Sequence, residues 1–156
     1  MKLFVLNSKP ADPNGYILQG LMRALRRVHR GELCLIDPAD LGQVPSDPDR
    51  QALLVYGGEE LHRLPPEQLR RPFARRAVWF TEDPYERHHN RLHAELFQCV
   101  FTNDSGSVHA YPAARYLPLA ADADLLPDLA VTVPSRLAFF SGTAWPNRKR
   151  LLAQLQ

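Results

Sequence analysis

Val78-Trp79-Phe80-Thr81-Glu82-Asp83-Pro84-Tyr85-Glu86 is a short apolar run that turns abruptly acidic, and Cys99-Val100-Phe101-Thr102-Asn103-Asp104 repeats the pattern. A buried parallel strand reads this way when its carboxyl end opens into a loop. In open α/β sheets the ligand sits beyond the carboxyl ends of the strands. Glu82, Asp83, Asn103 and Asp104 are therefore the polar groups placed to meet one.

Working outward, five strands are expected in all, at 2–7, 32–37, 52–56, 76–81 and 98–102, with an extended segment at 114–119. Between the first two, Ile17, Leu21, Leu25 and Val28 recur at helical spacing while Arg23, Arg26, Arg27 and Arg30 take the other side, which predicts an amphipathic helix over 15–30. A shorter helix is expected at 66–73. Another should follow Asp83, with Pro84 in its first turn and Glu86 where a capping box wants a carboxylate, so Asp83 reads equally as helix cap and as ligand group. Asp104 or Ser105 should cap a short helix through 108. Strands alternating with helices predict an α/β fold built on a doubly wound, mostly parallel Rossmann-like sheet, for which the strand order 3-2-1-4-5 is expected.

The expected domain spans 1–120. Residues 121–134 read as a linker, and 135–156 as the opening strand (136–141) and helix (146–156) of a second, truncated domain. With its apolar face uncovered, 135–156 is expected to fray or to pack against another copy of the chain as a homodimer.

Composition narrows the class. The 156 residues are 45% apolar, and no run approaches the roughly 18 apolar residues of a membrane span. The first residues have too short an apolar core for a secretory signal, so a cytoplasmic protein is expected. A net charge of +2 is too small to imply a nucleic-acid partner. The arginines at 23, 26, 27 and 30, and those at 70, 71, 75 and 76, read as solvated helix faces. Cys34 and Cys99 fall in strands without metal or redox spacing and read as small buried hydrophobes, unbridged because their strands lie on opposite sides of strand one.

The first strand leads into Asn7-Ser8-Lys9-Pro10 rather than a glycine fingerprint, which argues against nicotinamide chemistry; a P-loop and a Gly-x-Ser-x-Gly elbow are also missing from the sequence. His89 and His93 share one helix face at metal-ligand spacing, but no neighbouring motif offers a third ligand, so no metal is expected. His88, or His89, is a candidate general base. Asn7, at the end of the first strand, and Tyr85, just beyond the fourth, join Asn103 and Asp104 as candidate substrate-binding residues. Gly142, Thr143 and Arg148 lie in a strand-turn-helix setting where free backbone N–H groups and a guanidinium attract phosphate.

Four separated blocks, Trp79-Phe80-Thr81-Glu82-Asp83-Pro84-Tyr85-Glu86, Val100-Phe101-Thr102-Asn103-Asp104, Tyr116-Leu117-Pro118-Leu119-Ala120 and Phe140-Ser141-Gly142-Thr143-Ala144-Trp145-Pro146-Asn147-Arg148, follow one another in an order that resembles the CgeB-type (spore maturation protein-like) glycosyltransferases. The resemblance covers about 78 to 148. It implies a GT-B architecture of two Rossmann-like domains, the first facing the acceptor and the second holding a nucleotide sugar, with no obligatory metal and no cofactor beyond the nucleotide-diphosphate sugar donor. This chain would then supply the acceptor side of an interdomain cleft and be inactive alone. In that reading Glu82, Asp83 or His88 orients or deprotonates the acceptor hydroxyl, and Gly142, Thr143 and Arg148 meet the donor phosphates. The rival classes are a flavodoxin-like module that binds a small ligand or a protein without catalysis, and a nucleotide-sugar hydrolase or epimerase.

Overall fold

The computed structural model describes residues 1–12, 14–45, 47–58, 60–120 and 153. Within them six parallel strands form one sheet: β1 (Lys2–Asn7), β2 (Leu33–Ile36), β3 (Gln51–Gly57), β4 (Arg75–Phe80), β5 (Cys99–Thr102) and β6 (Ala114–Tyr116), in the order β2-β1-β3-β4-β5-β6. Helices α1 (Gly15–Val28), α2 (Pro66–Leu69) and α3 (Arg87–Ala94), with 3₁₀ segments at Pro38–Gln43, Leu61–Arg63 and Ser105–Ala110, make the connections. The fold is thus the expected Rossmann-like α/β sheet, parallel throughout. The chain divides into two units, Met1–Leu126 and Pro127–Gln156, and this sheet belongs to the first. The expected linker at 121–134, the strand at 136–141 and most of the helix at 146–156 lie outside the described residues.

The strand order corrects the expected 3-2-1-4-5. β3 lies against β1, and β2 is the edge strand. The difference has a visible cause in composition. Gln51-Ala52-Leu53-Leu54-Val55-Tyr56-Gly57 is nearly continuous apolar sequence and is buried along almost its whole length, as a central strand must be. β2 has four residues, none of them buried.

Side chains alternate across the sheet with the two-residue strand period. Val5, Tyr56 and Trp79 face α1, where Leu18 and Met22 cover them. Phe4, Leu6, Leu53, Val55, Val78 and Phe80 face the opposite layer, built from α2, α3 and the 3₁₀ segments. α1 therefore covers one face alone, because only the β1 to β2 crossover runs toward that edge. All later crossovers run the other way and, being right-handed, fall on the other face. The reversal occurs at β1, and the loops leaving β1 and β3 diverge there, which is the switch point where open α/β sheets bind ligands.

Three local expectations are corrected. Cys34 is only partly covered and Cys99 is exposed, because both sit near strand ends rather than in the core; both are free thiols. The last strand stops at Tyr116 instead of 119. Arg71 is no solvated charge: its guanidinium donates to the carbonyls of Leu41 (2.9 Å), Gly42 (2.6 Å) and Val44, tying down the 3₁₀ segment that leads into β3. Among the described residues no helix is long and apolar enough to cross a membrane.

Candidate functional site

The switch point is held together by Ser8. Its hydroxyl, fully buried, donates to the Tyr56 carbonyl (2.8 Å) and accepts from the Gly58 N–H (2.7 Å), so the loops after β1 and β3 are stitched by one side chain. Gly58 has φ of +108°, and a Cβ there would collide with the Phe80 ring, so the position accepts glycine alone.

Lys9 follows. Its side chain is only 8% exposed, and its ammonium lies 2.8 Å from Asp12 Oδ2 and 3.1 Å from Glu82 Oε1, with the Tyr56 ring 5.4 Å away. A buried ammonium needs such partners, since its desolvation otherwise costs several kcal/mol. Above it opens a cleft of about 310 Å³ lined by Lys9, Ala11, Asp12, Glu60 and Glu82. Asp12 and Glu82 share the Lys9 ammonium, and Glu60 pairs with Arg63 at 3.0 Å, so the carboxylate oxygens left open at the rim suit hydroxyl or amine donors. Burial alone would raise the Asp12 carboxyl, but the Lys9 ammonium and the Asn14 N–H, 2.8 Å from Oδ1, hold it below the ordinary carboxylate range. A larger groove of about 350 Å³ runs between α1 and residues 117–120; Trp79, Ile17 and Leu21 line it, and none of the predicted site residues among the described ones does.

Of those residues that fall among the described ones, Glu82 alone lines the cleft. Its carboxylate is 41% exposed, fixed on one side by Lys9 and open on the other. Asp83, its neighbour, points the opposite way into the protein and is 4% exposed. It accepts from Thr102 Oγ1 (2.6 Å), from Asn90 Nδ2 (2.9 Å), and from the Tyr111 hydroxyl (2.7 and 2.8 Å). The expected capping role is corrected: the helix begins at Arg87, after a turn, and Asp83 makes no cap bond to it. Burial and the Asp83 carboxylate push the Tyr111 hydroxyl far above its ordinary range, so Tyr111 remains a neutral donor. Asp83 thus ties the loop after β4 to α3, to β5 and to the end of Ser105–Ala110.

The remaining residues are spread out. Asn7 Oδ1 accepts from the Lys9 N–H at 3.3 Å and shapes the turn beneath the cleft. Asp104 Oδ2 accepts from Ser107 Oγ at 2.6 Å and its N–H donates to Thr102 Oγ1 at 3.2 Å, so this residue closes the turn after β5. Asn103 carries a buried Oδ1 without a hydrogen-bond partner among the described residues. Tyr85 is exposed, and His88 is exposed on α3, its ring tilted against that of His89 with centroids 3.8 Å apart; neither lines the cleft. Gly142, Thr143 and Arg148 lie outside the described residues. Lys9, Asp12 and Glu60 are additions that the sequence reading passed over. Their signal was positional: Lys9 and Asp12 lie in the first loop after β1, and Glu60 follows the Gly57-Gly58 pair that ends β3.

Comparison with family models, with curated proteins and with solved structures finds no match to this chain.

Proposed function

We propose that this domain forms the acceptor side of the cleft in a GT-B-type glycosyltransferase, with Glu82 as the group that receives the acceptor proton. One observation carries the reading: Glu82, in the loop after β4, turns its carboxylate toward the switch point of a parallel sheet, where a buried lysine holds it beside an open cleft. General-base catalysis needs a carboxylate within reach of the hydroxyl it deprotonates and fixed in orientation, and Lys9 supplies the fixing. The acceptor oxygen gives its proton to Glu82 and attacks the anomeric carbon, while the bond from that carbon to the diphosphate breaks. Gly142, Thr143 and Arg148 are the residues proposed to meet the departing diphosphate, whose charge must be stabilised. Asp83 is left out of the chemistry, because its oxygens are engaged by three side-chain donors.

The test uses the full-length protein. Nucleoside-diphosphate release from a panel of nucleotide sugars is measured with sugar and aglycone acceptors, for the native protein and Glu82→Gln. Expected is acceptor-dependent release that falls about a hundredfold or more in the variant, within the usual range for a lost general base. Unchanged turnover in Glu82→Gln would exclude the assigned base. Release with water as the only acceptor would make the protein a hydrolase. A second reading, a binding module without catalysis, is favoured by the Lys9 to Glu82 pair itself, which completes itself without ligand; ligand binding without turnover would establish it.

A further inference from the structure

The cleft at the switch point presents its charges unevenly. Lys9, Asp12, Glu60 and Glu82 line it together with Ala11. The cations stand behind the carboxylates. Lys9 is buried, and its ammonium is shared by Asp12 Oδ2 at 2.8 Å and Glu82 Oε1 at 3.1 Å. Arg63, which pairs with Glu60 Oε1 at 3.0 Å, is 67% exposed and is not among the residues that line the cleft. An ion pair so open to solvent gains little from its contact, so another cation can take the place of the guanidinium at small cost.

A guest in the cleft therefore meets carboxylate oxygens first. Carboxylates only accept, so the groups turned toward them must donate. Hydroxyls and ammonium groups both do, and charge separates the two. A hydrogen bond between an ammonium and a carboxylate is roughly twice as strong as one between neutral partners, whereas an acidic guest would bring like charges together. The volume, about 310 Å³, is at the small end of the range for ligand sites, roughly 300–1,000 Å³, and suits a guest of sugar size.

We propose that the acceptor taken at this cleft is an amine-bearing polyol of the amino-sugar class, its ammonium held by Glu60 and one hydroxyl turned to Glu82. The reaction rests on the glycosyltransferase reading; the binding preference holds without it. Glu60 is thereby a specificity-determining residue: it receives no proton and takes no part in bond breaking, but it favours cationic over acidic sugars. An amine kept protonated against Glu60 has no lone pair to attack with. Transfer then falls on the hydroxyl, whose oxygen bonds to the anomeric carbon as its proton passes to Glu82.

Saturation-transfer NMR on the full-length protein tests the preference at about pH 6.5, where carboxylates are ionised and amines protonated. The probes are the methyl glycosides of glucosamine, galactosamine and mannosamine, of the parent hexoses, and of the corresponding uronic acids. Expected is an amino sugar that binds about fivefold or more tighter than its parent hexose, the least that one contact ion pair gives in water, with the uronic acids weakest. The preference should shrink between about 20 mM and about 0.5 M salt. Glu60→Gln should abolish it, Arg63→Ala should enlarge it by removing the competing cation, and Glu67→Gln, at an exposed acid that does not line the cleft, should leave it unchanged. Equal binding of the three classes, no binding of any, or a preference that survives Glu60→Gln would overturn the proposal. A preference without turnover would keep the amine specificity and count against the transferase reading, and turnover without a preference would do the reverse.

Discussion

The Tyr111 hydroxyl donates to the carboxylate of Asp83 from 28 residues away, 2.7 Å from Oδ1 and 2.8 Å from Oδ2. The ring of the same tyrosine packs on Phe80, with centroids 5.1 Å apart. One side chain thus closes the core beneath β4 and satisfies the buried acid just beyond it. Asp83→Ala would strand the donors of Thr102, Asn90 and Tyr111 in the interior, at a cost of about 3 kcal/mol or more. Tyr111→Phe removes one donor and keeps the ring, for about 1 kcal/mol. Urea unfolding of both variants measures the difference, and a small, equal loss in each would show that the network does not hold the loop.

Lys9 and Glu82 should separate in the same assay. Lys9→Ala leaves Asp12, 11% exposed, without its cation; a loss of about 2 kcal/mol is expected, as for other broken, largely buried polar networks. Glu82→Gln keeps the shape of a half-exposed side chain and should cost less than about 1 kcal/mol. A larger loss for Glu82→Gln than for Lys9→Ala would mean that the glutamate is a structural group rather than the open side of the cleft.

Acid sensitivity follows from Asp12. Its folded carboxyl lies below the ordinary value of 3.8, so its contribution is fully present above that value and fades as the pH falls through the lower, folded one. Asp12→Asn should therefore flatten the acid limb of a stability-versus-pH curve below about pH 4. The curve of the variant should run closest to that of the native chain at the lowest pH, and a gap that widens there would give Asp12 the opposite sign.

Both cysteines should remain thiols. β2 and β5 are four strand spacings apart in the sheet, about 19 Å, against the 7 Å beyond which Cα atoms cannot be bridged. Thiol titration of the unfolded, unreduced chain should find two, and in the folded chain exposed Cys99 should react ahead of Cys34.

The strands were legible because each is a compact apolar run, and Glu82 because it stands where such a run turns acidic. Their order was not legible in the same way: which neighbour a strand takes depends on the crossovers, and only the contrast between the long apolar β3 and the short β2 marked the centre and the edge. Asp83 carried the same local signal as Glu82, yet the two point in opposite directions. What draws Asp83 inward is a tyrosine and a threonine, 28 and 19 residues distant, whose approach no local pattern records. Lys9 was hidden for the reverse reason. A lysine among turn formers reads as solvated, and its burial comes from Tyr56 and Glu82, which only the folded sheet brings beside it.

Ser8, bound at once to the Tyr56 carbonyl and the Gly58 N–H, makes the ends of β1 and β3 move as a single stiff lip. A ligand entering there meets a floor already ordered, and little of its affinity is lost to arranging backbone. Adjustment to its shape falls instead on the side chains of Glu60 and Glu82 at the rim. Discrimination at this mouth is then a matter of a few carboxylate rotamers, fast and small in amplitude.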